Sequence, residues 1–275
     1  MNFTPFAFIQ NPIVVLPSPP NPASSSQAFI TAANITDPTQ QTAITNLVAA
    51  LYSSSLWDKM TAIYPFVGGT ATTHKYNLKD PRDSDDAYRI TFGGGMTHNS
   101  NGIQGDGVSG YANTNAFTNT IAIPDRANHW SMYIRQLGYT SPGYNGVLDY
   151  PGPIAFFGFA GSVGNNIGLG LQTLQFYNNP AIAASNGFYN GTIRRSPTTS
   201  FLYLNGSSII DGFNNYQFTN EFNFYLGAMW FNGAVNYYND TAFAFASLGN
   251  NLTATDAANF YTAVQAFQTT LGRQV

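Results

Sequence analysis

The sequence predicts an all-β sandwich or barrel, led by an extended N-terminal arm and carrying two packed helices. Three observations point there. From about residue 70 to 250 the chain breaks into short runs rich in aromatic and β-branched residues, separated by turn signals. Asn-Gly steps begin at 101, 145, 186, 190, 205 and 232, and this dipeptide supplies the two positive-φ positions of a type I′ hairpin. Aromatic residues make up 15% of the 275 positions, as suits cores built between pleated faces.

The elements follow in order. Residues 1–26 hold short apolar pieces, then Pro17-Ser18-Pro19-Pro20-Asn21-Pro22 and Ser24-Ser25-Ser26. Prolines fix φ and remove donors, so this stretch is expected to be an extended arm or linker. Its apolar content suits docking onto a partner. Residues 27–275 form the body. A helix is expected near 37–60: Asp37 as N-cap, Pro38 at the first helical position, Gln40 at capping-box spacing, and Ile44, Leu47, Val48 and Leu51 as one apolar stripe. Leu56 and Trp57 extend it toward Tyr64-Pro65.

Strands are expected around Tyr88 to Phe92, Trp130 to Arg135, Ile154 to Phe159, Leu169 to Phe176, Phe201 to Leu204, Phe222 to Leu226 and Ala242 to Ser247. A second helix is expected over 253–271. Thr253 and Asp256 make a capping pair, Ala257, Phe260, Tyr261, Val264, Phe267 and Leu271 form the stripe, and Gly272 stands at the C′ position.

Composition narrows the function. Charged residues are 8%, against about 25% in an average soluble protein. No apolar run approaches the roughly 20 residues of a spanning helix, so membrane insertion is not expected. Asn, Thr, Ser and Gln must supply the polar surface. Net charge is -3 and the one adjacent basic pair is Arg194-Arg195, too little for a phosphate-tracking stripe; nucleic-acid binding is set aside. The absence of cysteine removes disulfides and thiolate chemistry.

Several segments together resemble a family of tailed-phage structural proteins with a laminin G-like, concanavalin A-like domain. They are Ala28-Phe29-Ile30-Thr31-Ala32-Ala33 with Ile35-Thr36-Asp37; Leu56-Trp57-Asp58-Lys59-Met60; Ala62-Ile63-Tyr64-Pro65-Phe66-Val67-Gly68-Gly69; and His74-Lys75-Tyr76-Asn77-Leu78-Lys79-Asp80-Pro81-Arg82-Asp83. Ala244-Phe245-Ala246-Ser247-Leu248-Gly249 and Thr269-Thr270-Leu271-Gly272-Arg273-Gln274-Val275 complete the match. It covers about residues 28–100 and 200–275. The resemblance implies a concanavalin A-like jelly-roll sandwich and a particle component, on an appendage or the outer capsid. The expected setting is the virion surface. Other virion proteins would be contacted through residues 1–26, host-surface glycan is a further candidate partner, and a homo-oligomer is expected. Met1-Asn2-Phe3-Thr4-Pro5 lacks a cationic leader; a virion protein released by lysis needs none.

Catalysis is not expected. Glycan-cleaving relatives of this fold use two neighbouring carboxylates, and this chain has one glutamate, Glu221. His74, His98 and His129 are far apart and no Gly-x-Ser-x-Gly elbow nominates a serine; core histidines are the simpler account. Gly93-Gly94-Gly95 lacks a P-loop ending and suits a close backbone approach.

Two kinds of site remain. Asp83, Asp85 and Asp86 are the candidates for calcium, an ion that takes several oxygen ligands from a turn; interleaved Lys79, Arg82 and Arg89 explain the same carboxylates as ion pairs and caps. For sugar, rings must stack beside amide donors and acceptors. Tyr139, Tyr144 and Asn145 form one such region, and Trp230, Asn232, Tyr237 and Tyr238 the other. Aromatic residues at alternating positions are also core or interface. Two roles follow: display for host-surface or glycan adhesion, or decoration and cementing of capsid or neck without sugar.

Overall fold

A computed structural model of the chain describes residues 21–117, 127–138, 143–148, 156–163, 166–173, 177–195, 198–214, 223–231 and 233–275. It is mostly β, with antiparallel sheets and few helices.

Helix α1 spans Pro22–Ala32, so residues 22–26 of the stretch expected to be extended are helical. Asn21 is the reason. Its side chain accepts from the Ser24 amide, Ser24 Oγ accepts from the Asn21 amide, and Pro22 takes the first helical position. A proline there costs no hydrogen bond. The rest of the expected arm lies outside the described residues.

Helix α2 runs Pro38–Ser53 from an Asp37 cap, with Ile44, Leu47, Val48 and Leu51 buried. Gln40 does not close a capping box; its Oε1 accepts from the Gly68 amide at 2.7 Å. The helix also ends well before residue 60. The Ser53 and Ser54 hydroxyls turn back to the Ala50 carbonyl and Ser55 takes a φ of 56°, the local competition by which serine ends helices. A single 3-10 turn at Trp57–Lys59 then leads into strand β1, Met60–Tyr64.

A short helix α3, Ala71–His74, and a 3-10 turn at Asp85–Ala87 follow. The strands are β2 Thr91–Gly93, β3 Thr97–Asn99, β4 Gly102–Gln104, β5 Tyr111–Phe117, β6 Asn128–Gln136, β7 Gly143–Leu148, β8 Phe156–Val163 and β9 Asn166–Thr173. Next come β10 Tyr177–Ala183, β11 Gly187–Arg195, β12 Thr198–Leu204, β13 Ser207–Asn214, β14 Asn223–Leu226, β15 Met229–Phe231, β16 Ala234–Asn236 and β17 Ala242–Asn250. Tyr88, expected to open a strand, instead takes φ 59° as the cap of the preceding turn.

The large sheet has the order β13-β12-β11-β6-β17-β4-β3, with β1 also paired to β17. Two smaller sheets are β10-β9-β8-β7-β15-β16 and β14-β5-β2. All described pairs are antiparallel except β7 with β15. Alternation along β6 gives the large sheet its two faces. Trp130, Met132 and Ile134 join a core with Ala112, Phe224 and Leu226 of the smallest sheet. Tyr133 joins a second core with residues of α1, α2 and helix α4, Ala254–Thr270. The large sheet therefore lies between a helical layer and the smaller sheets.

Of the Asn-Gly steps, Asn205-Gly206 makes the expected hairpin, with φ of 49° and 76° between β12 and β13. Asn145-Gly146 and Asn190-Gly191 lie inside strands instead. At 191 the requirement is space: a Cβ there would stand 2.7 Å from the Trp130 ring. The approach expected at the glycine run is also present, since a Cβ on Gly94 would lie 1.9 Å from the Ser109 carbonyl oxygen.

Helix α4 follows the expected punctuation. Thr253 and Asp256 form a reciprocal capping box, and Phe260, Val264 and Phe267 are buried. At its end the Gly272 amide bonds to Thr269 O and the Arg273 amide to Gln268 O, the paired bonds of a Schellman turn. This turn sends Arg273 into the interior.

Candidate functional site

The two aromatic regions singled out in the sequence are joined by the sheet. Parallel pairing places Gly146, Val147 and Leu148 beside Met229, Trp230 and Phe231. Asn145, however, is fully buried and accepts from the Gly227 amide at 2.8 Å; it fixes the neighbouring turn and cannot meet a ligand. Trp230 is half-buried and stacks on Tyr225 at 6.1 Å. The Tyr238 hydroxyl donates to Val235 O, leaving Tyr237, 37% exposed and edge-on to Phe231, as the outward ring. Tyr139, Asn232 and the Tyr144 side chain lie outside the described residues.

The aspartates do not converge on a metal position. Asp83 receives Lys75 and Arg89, Asp85 receives Arg89, and Asp86 receives Arg82 and the Ser84 hydroxyl. Hydrogen bonds from Lys75 and then Arg89 hold the Asp83 carboxyl below its ordinary pKa; Ser84 and then Arg82 do the same for Asp86. Among the described residues no group of three His, Asp or Glu side chains is placed to hold an ion. Lys75, Arg82, Arg89 and Ser84 donors occupy both oxygens of Asp83 and Asp86 and one of Asp85.

The histidines form two buried arrangements. His74 accepts from the Gly69 amide on Nε2, so its proton sits on Nδ1, 3.1 Å from His98 Nδ1. His129 donates from Nδ1 to Asn250 O, and its Nε2 accepts from Ser247 Oγ at 3.2 Å. A serine bonded to an oriented imidazole has the outline of a nucleophilic pair. Yet both residues are sealed under Phe260 of α4, at 0% and 1% exposure. No substrate reaches them, and their role is to satisfy a polar layer beneath the helix.

An open site lies elsewhere, where the helical layer ends. Across three strands Gln104, Ala242 and Gln136 stand side by side. The alanine makes a low floor between two amide walls. The hairpin of β3 and β4 adds Asn99 and Asn101, and Arg135 completes a cleft of about 220 Å³. Several groups are already engaged: the Asn99 Oδ1 accepts from the Asn101 amide nitrogen, Gln104 Nε2 donates to Asp240 O, and Arg135 Nε donates to Arg273 O at 2.9 Å. Among the described residues, none forms a hydrogen bond with the Asn101 or Gln136 side chains, with Gln104 Oε1 or with either terminal nitrogen of Arg135. The hairpin comes this close because Gly102 has no side chain: a Cβ would stand 2.1 Å from Phe243 O.

None of these cleft residues was named as a site candidate in the sequence; Asn101 stood out there only as the start of an Asn-Gly step. Its signal, the run Asn99-Ser100-Asn101-Gly102-Ile103-Gln104, resembles the amide-rich turns elsewhere in the chain. Only the strand order brings residues 135 and 242 to it.

No family model and no curated protein matches the sequence. Among solved structures, a mutant of Trypanosoma rangeli sialidase displaying trans-sialidase activity aligns over 82% of this chain and 39% of its own, at 11% identity and TM-score 0.50. Domain 4 of AbnA, an extracellular arabinanase from Geobacillus stearothermophilus in complex with arabinotriose, aligns over 74% of this chain and 98% of its own, at 14% identity and TM-score 0.47. The NanB sialidase of Streptococcus pneumoniae aligns over 48% of this chain, which spans 23% of that protein, at 12% identity and TM-score 0.39. The first of these is a likeness of fold alone.

Proposed function

We propose that the chain is a non-catalytic carbohydrate-binding β-sandwich, displayed on a phage particle for adhesion to host-surface glycan. The observation that carries the binding role is the cleft at Gln104, Ala242 and Gln136, whose amides face solvent with hydrogen-bonding capacity to spare. Each amide offers a donor and an acceptor to a ring bearing neighbouring hydroxyls. A sugar ligand agrees with the fold likeness to a sialidase. The concanavalin A-like, jelly-roll assignment and the virion setting rest on the sequence resemblance over residues 28–100 and 200–275.

The test is binding of the purified protein to a broad array of oligosaccharides, repeated with Asn101→Ala and Gln136→Ala. We expect binding to one glycan class, weakened about tenfold by each substitution, as for loss of a ligand hydrogen bond. Retention of binding by the double variant would move the site elsewhere; absence of binding on the whole array would end the proposal. Antibody-gold labelling of intact particles tests the setting, and unlabelled particles would remove it.

A second reading is decoration without sugar, favoured by the outward Tyr237 against Phe231. An exposed ring on a low-charge surface suits a subunit contact. Label spread over the head or collar, rather than at a tail tip, would select it.

A further inference from the structure

We propose that the cleft takes an acidic sugar, with a carboxylate on the guanidinium of Arg135 and neighbouring hydroxyls on the flanking amides. This rests on the glycan-binding reading and narrows it to a ligand class.

The argument begins with how this chain spends its few cations. Among the described side chains, Lys59, Lys75, Arg82 and Arg89 each face a carboxylate. Lys79 Nζ bonds to the Trp57 carbonyl, and Arg273 is surrounded by carbonyl oxygens. Arg135 differs. It is half-buried, and among the described residues it forms no ion pair and bonds only through Nε. A guanidinium bonded at Nε keeps its two terminal nitrogens as a fork of fixed orientation, the geometry that grips a carboxylate through two parallel bonds.

Placement follows from the strand pattern. His129, Ser131, Tyr133 and Arg135 alternate along the face of β6 that carries the helices. His129 packs under Phe260 of α4 and Tyr133 bonds to Gln265 of the same helix, while Ser131 is buried against Ser247 of β17. Arg135 emerges past the Schellman turn, and the Arg273 carbonyl that follows the turn holds its Nε. Among the described residues nothing acidic lines the cleft. The nearby Asp240 gives Gln104 its main-chain carbonyl, while its carboxylate is turned against Gly138. A neutral sugar would leave the fork without an anion, whereas a carboxylate would complete it beside Gln136 and Gln104.

The experiment is calorimetric titration of the whole chain with matched probes: trigalacturonate, its methyl ester and galactotriose, then sialyllactose and lactose. We expect at least one acidic probe to bind, its neutral counterpart to bind about tenfold more weakly or worse, and affinity to fall with salt. Arg135→Gln should cause a similar loss and Arg135→Lys a partial one, with the thermal unfolding of Arg135→Lys unchanged. Equal affinity for acidic and neutral partners, indifferent to Arg135→Gln but lost in Gln136→Ala, would overturn the acidic assignment and leave glycan binding intact. Failure of every probe, and of the broad array, would overturn both.

Discussion

Arg273 is a charged side chain taken out of water, at 1% exposure, and among the described residues no carboxylate receives it. Its five donors go to Gln268 Oε1 and to the carbonyls of Phe66, Ser100, Pro65 and Ala244. Each buried acceptor left unpaired costs about 1–3 kcal/mol. Arg273→Met is therefore expected to lower unfolding free energy by at least about 3 kcal/mol, and Arg273→Lys to recover only part, having three donors for five acceptors. Urea unfolding checks both. The buried histidines set a pH dependence. Burial, helped by His98, pushes the His74 pKa from 6.5 down to about 3, and burial pushes His129 down to about 4. Between those values and the ordinary 6.5 the unfolded chain holds more protons, so stability rises with pH across that window. It is complete above the ordinary value and falls toward pH 4 by up to about 1.4 kcal/mol per pH unit for each histidine. Urea midpoints at several pH values should show this slope, and His129→Gln should flatten it.

Helix α4 closes the second core, and its first turn depends on one side chain. Thr253 Oγ1 accepts from the Asp256 amide, while Asp256 receives the Thr253 amide and Lys59. Thr253→Ala is expected to cost about 1 kcal/mol, with thermal unfolding as the measurement; a neutral outcome would show that packing alone holds the turn. The cap, stripe and closing glycine of this helix were all legible in the sequence because each acts within a few residues of its own position. The start of α2 was legible for the same reason. Its end was not, because Leu56 and Trp57 continue the apolar stripe in sequence while Ser53, Ser54 and Ser55 turn the chain away. Asn-Gly at 190 misleads likewise: the glycine there answers to Trp130, a neighbour 61 positions back that only the paired strands β6 and β11 supply.

At the scale of the whole molecule, the large sheet serves both cores, and the cleft opens where one covering layer stops. Three separated segments build it: 99–104, 135–136 and 242. The aromatic regions stood out in the sequence because rings are conspicuous; amides that remain unpaired are not, since pairing is decided by the fold. Strand β17 is the member on which this architecture turns. It pairs with β6 on one side and with β1 and β4 on the other. A chain cut after residue 241 lacks both β17 and α4, and is expected to be protease-sensitive throughout, with no cooperative unfolding transition.

That dependence sets an order of events during synthesis. Met60–Tyr64 must wait for residues 246–249 before it has its partner, and the Pro65 and Phe66 carbonyls wait for Arg273. Contacts so distant along the chain close slowly. For most of its time on the ribosome, the first quarter of the protein therefore holds Ile63 and Tyr64 without the strand that will cover them. The growing chain is then exposed to self-association, and its yield should depend on translation rate and chaperone supply more than that of a protein assembled from neighbouring hairpins.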